Sequence, residues 1–95
     1  MIINQVPDPY IQDPDEKLDY TINWSVSLGT DTIQTSSWSV PPGLTEGPPA
    51  SSNTPTTTTI WLRSGVLGNY VVVNTITTAG GRTYEGTIRV RVRPN

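Results

Sequence analysis

The sequence predicts an all-β protein, a sandwich of two sheets, and three observations support this. Apolar and polar side chains alternate from Tyr84 to Arg93, which is the period of a strand with one buried face. The pair Gly80-Gly81 ahead of that run can supply the positive φ angles of a tight hairpin. Thr and Ser are abundant while Ala, Leu and Lys are scarce, and that balance favours strands and turns. Because a lone hairpin is marginally stable in water, we expect other strands to cover its apolar face.

Residues 1–14 are predicted to form an extended arm ahead of one sandwich domain, residues 15–95. Three prolines in this segment fix φ and favour extended geometry in the residues before them. We expect Ile2, Ile3 and Val6 either to lie along an edge of the chain's own sheet or to reach onto a partner, since Pro is tolerated at strand edges.

The segment from Asp13 to Lys17 predicts a turn, after which a strand begins. Leu18, Tyr20, Ile22 and Trp24 share one phase of the alternation. This pattern is typical of an inner strand of a sandwich, with Trp24 as a central core residue.

A further strand is predicted between Asp31 and Val40, after a turn at Leu28-Gly29. Ile33 is out of phase with Trp38. We expect either a β-bulge near Ser36-Ser37, which is the less costly explanation, or one of the two side chains facing outward.

The segment from Pro41 to Pro55 is rich in Pro and Gly and cannot be a central strand. A loop of this length is usually functional or mobile, and Leu44 is the side chain placed to pin it to the core. A strand from Thr56 to Arg63 follows.

The tryptophans differ in their predicted surroundings. Trp24 and Trp38 lie in apolar-rich strands and are assigned to the core. Trp61 falls in the phase opposite to Ile60 and Leu62, which predicts an outer face or an interface. Exposed indole rings could also stack on sugars or bases.

The run Leu67-Gly68-Asn69-Tyr70, followed by Val72, resembles the corner of immunoglobulin-like sandwiches in which a Tyr hydroxyl bonds to nearby backbone. Asn74 falls in the inward phase of this strand, so we expect a bulge or a buried amide with its hydrogen bonds satisfied. The strands together predict an immunoglobulin-like (fibronectin III-like) β-sandwich with an extended N-terminal arm.

The absence of Cys and His narrows the possible functions. The chain contains neither residue, so the common catalytic triads, the usual zinc sites and the ordinary neutral-pH general base are unavailable. We predict a protein that is not an enzyme, with no catalytic residue and no cofactor. We also see neither an export signal nor a window long enough to cross a bilayer, and therefore expect no membrane partner.

Charge is distributed unevenly along the chain. Residues 1–50 carry seven of the eight acidic side chains and one basic one, giving −6, while residues 51–95 carry five Arg and one Glu, giving +4. Two interpretations stay open. Acidic and basic strands pair within the domain, or a two-signed surface meets a differently charged neighbour.

The acidic residues Asp13, Asp15, Glu16 and Asp19 could hold calcium, which prefers oxygen ligands. However, the stretch lacks the Gly of an EF-hand loop, and Asp-Pro-Asp is ordinary turn chemistry. A glycosidase pair would need a sugar cleft, of which there is no sign. We predict no metal site and no small-molecule substrate.

Arg89, Arg91 and Arg93 line one face of the last predicted strand. Such a stripe could contact phosphates, but a sequence pI near 4.7 disfavours nucleic acid. We expect these side chains to face carboxylates of the same chain or of a neighbour.

Four segments share their order and spacing with one known family: DPDEKLDYTINWS from Asp13, DTIQTSSWSV from Asp31, TIWL ending at Leu62 and NTITTAGGRT from Asn74. In these segments, and from about residue 13 to residue 92, the chain resembles the fiber-tail adaptor proteins of tailed bacteriophages. The resemblance covers most of the chain.

The resemblance implies a structural protein of the virion, assembled in the host cytoplasm in several copies, that joins the tail or neck to fibers through contacts with other virion proteins. A capsid decoration protein is the alternative, and a carbohydrate-binding module is a more distant one. The residues that we expect to contact neighbours are Ile2, Ile3, Asp13, Asp15, Trp61, Arg89, Arg91 and Arg93.

Overall fold

The computed structural model describes residues 2–3, 10–63 and 66–94 and shows two β-sheets packed face to face. The strands described are β1 (Ile2–Ile3), β2 (Tyr10–Gln12), β3 (Lys17–Asn23), β4 (Ile33–Ser39), β5 (Thr45–Glu46), β6 (Ser52–Asn53), β7 (Thr57–Arg63), β8 (Gly68–Thr78) and β9 (Thr83–Val92). A four-residue helix, α1 (Ser25–Leu28), follows β3. The predicted all-β sandwich is confirmed.

The first sheet has the order β1-β3-β7-β5, with β6 also paired to β7, and the second has the order β2-β9-β8-β4. The N-terminal segment contributes to both sheets, because β1 pairs in parallel with β3 and β2 pairs in parallel with β9. Of the two positions left open for the arm, Ile2–Ile3 therefore occupy an edge of the chain's own sheet. Val6 lies outside the described residues, and the domain boundary at residue 15 stays a prediction.

The core lies between the sheets, and most of its residues are ones that the alternation assigned to it. Each strand sends every second side chain inward, so β3, β7, β8 and β9 all contribute. The buried apolar residues are Tyr20, Ile22, Trp24, Leu28, Ile33, Leu44, Ile60, Leu62, Val72, Ile76, Ile88, Val90 and Val92. The predicted roles of Trp24 as a core residue and of Leu44 as the anchor of the Pro-rich segment are confirmed.

The β8–β9 hairpin and the tyrosine corner form as predicted. At the hairpin turn the Thr78 N–H donates to the Arg82 carbonyl at 2.8 Å, and Gly81 has φ 88°, a value that favours glycine. At the other end of β8 the Tyr70 hydroxyl donates to the Val66 carbonyl at 2.8 Å. This bond fixes the chain where it enters β8.

The predicted bulge in β4 exists, but its predicted position was wrong. The register with β8 shifts between Ile33 and Thr35, so Gln34 is the extra residue. The shift comes early because Ile33 is buried and its N–H donates to the Pro55 carbonyl at 2.8 Å. Beyond the bulge Trp38 packs against the core while staying half-buried, and its indole N–H has no hydrogen-bond partner among the described residues.

Asn74 is a buried amide with satisfied hydrogen bonds, which was one of the two predicted outcomes. Its Nδ2 donates to the Ser36 hydroxyl at 3.0 Å and to the Ser37 carbonyl at 2.9 Å. Its Oδ1 accepts from the Thr58 hydroxyl at 2.7 Å and from the Trp24 indole at 3.2 Å. The amide thus links β8 to β4 in its own sheet and to the facing sheet.

Candidate protein interface

The outer face of the second sheet carries basic and aliphatic side chains at one end. Cross-strand register places Ile11 of β2 beside Arg91 of β9, and Arg91 beside Asn69 of β8. In the neighbouring outward row, Arg89 of β9 lies beside Val71 of β8. Arg91 and Arg89 therefore each lie beside an aliphatic side chain of a neighbouring strand.

Exposed apolar side chains concentrate in this region. Of the five large hydrophobic residues exposed in the described ranges, Ile11 (37%) and Val71 (48%) lie in these rows, while Val66 (56%) and Leu67 (58%) directly precede β8. The fifth, Val26, belongs to α1, which lies toward the other end of β8. We call the set Ile11, Leu67, Val71, Arg89, Arg91 and Arg93 the basic–aliphatic patch.

The arginines of the patch are exposed and charged. Arg91 Nε donates to Asn69 Oδ1 at 2.9 Å, which orients the guanidinium without neutralising it. Guanidinium groups present a fork of five N–H donors that matches carboxylates in two-bond geometry. The patch is therefore suited to a protein surface that offers carboxylates beside apolar groups.

A buried glutamine holds β2 at the patch. Gln12 Nε2 donates to the Glu16 and Leu62 carbonyls, both at 2.9 Å, and Gln12 Oε1 accepts from the Tyr20 hydroxyl at 2.8 Å. Burial, with a smaller contribution from nearby Glu16, raises the pKa of Tyr20 to about 12, so the phenol stays protonated and can donate. These bonds join the second sheet to the first and fix the position of Ile11 on the outside.

The predicted acidic contact residues lie in the turn between β2 and β3. Asp13 N–H donates to Glu16 Oε1 at 2.7 Å, and Asp13 Oδ1 accepts from the Asp15 N–H at 2.9 Å. These bonds are typical of a turn. Asp15 is exposed, whereas Asp13 and Glu16 are half-buried. The described residues contain no group of three or more Asp and Glu that could hold a metal ion.

The other predicted contact residues belong to the first sheet. Trp61 is half-buried and faces outward beside Asp19 of β3, which confirms its predicted phase. Ile2–Ile3 form β1 at the edge of that sheet. The structure thus brings the three arginines together on one sheet and places Trp61, Ile2 and Ile3 on the other.

Sequence reasoning missed the aliphatic half of the patch. Val71 was identifiable, since it shares the outward phase of Asn69, but it lies in an unbroken run of valines. Ile11 gave no signal, because its exposure depends on the burial of its neighbour Gln12.

An open pocket of about 580 Å³ lies at the opposite end of the sandwich, between α1 and the β8–β9 turn. Its carboxylate, Asp31, accepts hydrogen bonds from the Thr32 and Gly80 N–H groups at 2.9 and 3.0 Å, and pairs with Arg82 at 3.2 Å. A side-chain hydrogen bond from Thr78, together with these contacts, lowers the pKa of Asp31 to about 2. This carboxylate connects the α1–β4 loop to the hairpin and has a structural role.

Comparison with solved structures defines the class of fold. The structure is similar to the solution structure of the PKD domain from KIAA 1837 protein, at 15% identity and a TM-score of 0.64 over 96% of this chain and 85% of that one. It is also similar to the crystal structure of the cysteine protease inhibitor EhICP2 from Entamoeba histolytica, at 12% identity and a TM-score of 0.60 over 90% and 85%. The protein is an immunoglobulin-like β-sandwich.

Within that class the family is defined by sequence. The chain belongs to the podophage GP4 fiber-tail adaptor protein gp77 family, whose model matches residues 12–91. No curated protein matches it. The family assignment confirms the resemblance seen in the sequence and supports a role as a phage tail-fiber adaptor, a virion component that interacts with other tail and fiber proteins. Fold and family are consistent with a protein that is not an enzyme. In the described residues no helix is long and apolar enough to cross a membrane.

Proposed function

We propose that this protein connects the phage tail or neck to tail fibers through direct protein–protein contacts, in several copies per virion. Family membership supports the adaptor role. The observation that supports a contact mechanism is the basic–aliphatic patch, where exposed Ile11, Leu67 and Val71 lie among exposed arginines.

The patch has the composition of a binding surface. Covering apolar surface stabilises a complex by about 25 cal/mol per Å² before the costs of association. The arginines contribute orientation and speed, because complementary charges steer the encounter and penalise wrong partners. We therefore propose a partner surface with aliphatic or aromatic side chains flanked by Asp and Glu.

A connector needs a second contact surface, and the first sheet offers one. Trp61 faces outward from β7, on the side of the sandwich opposite the patch. Aromatic residues are enriched among those that dominate binding energy. We propose that the Trp61 face and the β1 edge, with Ile2 and Ile3, contact one neighbour while the patch contacts the other, and that Asp13 and Asp15 lie at the rim.

The test is a binding measurement between this protein and the purified tail and fiber proteins of the same phage. The double variant Val71→Asp/Arg91→Glu is expected to weaken binding to one of them by tenfold or more, because it places carboxylates where the partner presents its own. Thr83→Asp, on the same face but at the other end of β9, is the control and leaves binding unchanged.

Three outcomes would contradict the proposal. The first is binding by the double variant as tight as that of the unmodified protein. The second is binding to the capsid shell but to neither the tail nor the fiber, which would indicate a decoration protein. The third is a change in Trp fluorescence on titration with host glycans, which would indicate a carbohydrate-binding module.

A further inference from the structure

β4 forms one edge of the second sheet along its whole length. It spans seven residues and pairs on one side with β8. Residues 83–89 of β9 also pair on one side only among the described residues, but they carry the charged Glu85 and Arg89. The other edge strands described, β1, β2, β5 and β6, have two or three residues each. Every second residue of an edge strand turns its N–H and C=O away from the sheet, where another strand can pair with them.

The edge of β4 is protected at its start and open beyond it. The bulge at Gln34 and the bond from the Ile33 N–H to the Pro55 carbonyl cover the first residues. From Thr35 to Ser39 the strand contains no charged residue, no Pro and no Gly. Soluble proteins usually blunt an edge with a Lys, a Pro or a bulge, and this stretch has none of these.

We infer that β4 pairs antiparallel with β4 of a second copy of this chain, about a two-fold axis at Ser37. A two-fold axis places identical side chains opposite each other at its centre. A charged residue would be destabilising there, because like charges directly opposite each other repel. Ser37 is small, exposed and uncharged, so the strand is compatible with its own copy.

The flanking pairs in this register are also compatible. Thr35 lies opposite Ser39 of the second copy on the outer face, where hydroxyl pairs form hydrogen bonds. On the inner face Trp38 lies opposite Ser36 of the second copy. Because Trp38 is half-buried at the open edge, the added strand covers more of its ring. The second sheet of one copy and the second sheet of the other then form one continuous sheet across the two-fold axis.

The pairing leaves the basic–aliphatic patch accessible. The patch lies on β2, β9 and the start of β8, and β2 is the edge opposite to β4. A dimer therefore presents two patches, and binding two linked sites strengthens attachment without new contacts. The inference concerns self-association and does not depend on the proposed tail or fiber partners, so either can fail alone.

The test uses the full chain and measures its mass by sedimentation equilibrium over a range of concentrations. The unmodified protein is expected to show a reversible monomer–dimer equilibrium. Ser37→Lys and Ser37→Glu are each expected to be monomeric, because each places like charges opposite each other at the axis. An equimolar mixture of the two variants is expected to restore the dimer. Thr83→Lys, an exposed position of β9 away from β4, is the control and dimerises normally.

Hydrogen exchange gives a test without mutation, in which the amides of residues 35–39 exchange more slowly as the protein concentration rises. Ser37 is exposed, so circular dichroism should show that both variants keep the fold. A monomer at every concentration, a dimer that survives Ser37→Lys, or a mixture of the two variants that stays monomeric would each overturn the inference.

Discussion

β2 and β9 lie side by side in the second sheet, yet they distribute their side chains by opposite rules. In β9, Val90 and Val92 are buried and Arg91 is exposed, as expected for a strand with one face in the core. In β2, the aliphatic Ile11 is exposed and the amide of Gln12 is fully buried.

The difference shows that a departure from alternation can be compensated by hydrogen bonds on one side of a strand and left without such compensation on the other. Gln12 is tolerated inside because its amide donates two hydrogen bonds and accepts one. Ile11 has no comparable compensation for its exposure, and exposed apolar groups that gather in one region mark interaction sites. The same two residues therefore fix the sheet and form part of the patch.

The largest effect is expected when the side chains of β2 are made to alternate regularly. The double variant Ile11→Gln/Gln12→Ile restores alternation, and a rule based on pattern alone predicts a more stable protein. We expect the free energy of unfolding to fall by about 3 kcal/mol or more, because the Leu62 carbonyl and the Tyr20 hydroxyl lose their buried partner. Urea denaturation measures the change, with Ile11→Gln alone as the control. Equal or higher stability of the double variant would contradict the role assigned to Gln12.

In β8 a polar residue, Asn74, also occupies an inward position. Asn74→Leu is expected to lower the free energy of unfolding by about 2 kcal/mol, because the hydroxyl, indole and carbonyl groups around it lose partners. The matched control is Asn69→Leu on the outer face of the same strand, for which we expect about 0.5 kcal/mol or less. Similar losses for the two variants, measured by urea denaturation, would count against a bonded network.

Ile11→Thr tests the role of the exposed side chain of β2. Thr keeps the β-branched shape that strands favour, so the free energy of unfolding is expected to change by about 1 kcal/mol or less. Binding to the tail or fiber partner is expected to weaken severalfold in the assay proposed above. A large loss of stability with unchanged binding would show that Ile11 is a core residue and not a contact residue.

The smallest effect on stability is expected from Asp31, at the far end of the sandwich, whose carboxylate accepts hydrogen bonds near the surface. The pKa of Asp31 is lowered from 3.8 to about 2, so its contribution to stability is fully present above about pH 4. It is lost as the pH falls from about 4 towards 2. Asp31→Asn is expected to be slightly less stable at pH 7 and to lose less stability over that acidic range. Parallel pH dependence of the two proteins in thermal melts would contradict this.

The sequence predicted the parts of the fold that depend on local patterns. β3, β7 and β9 followed from alternation, the β8–β9 turn followed from Gly80-Gly81, and the hydroxyl bond of Tyr70 followed from a four-residue motif. These features are determined within a few residues of chain, so a pattern is enough to identify them.

The features that the sequence did not predict depend on distant groups. The burial of Gln12 requires the carbonyl of Leu62, fifty residues away in sequence. The position of the bulge in β4 depends on the carbonyl of Pro55. For the candidate interface, the arginines were identifiable from their spacing, whereas Ile11 became visible only when the register placed it beside Arg91.

The parallel pairing of β2 with β9 has a mechanical consequence. One strand lies near the start of the chain and the other near its end, and both run in the same direction. Tension that pulls Tyr10 and Val92 apart therefore slides the two strands past each other. Their hydrogen bonds resist such shear together, whereas bonds that are peeled open yield one after another. A protein that carried tension along this direction would gain resistance to force from this geometry.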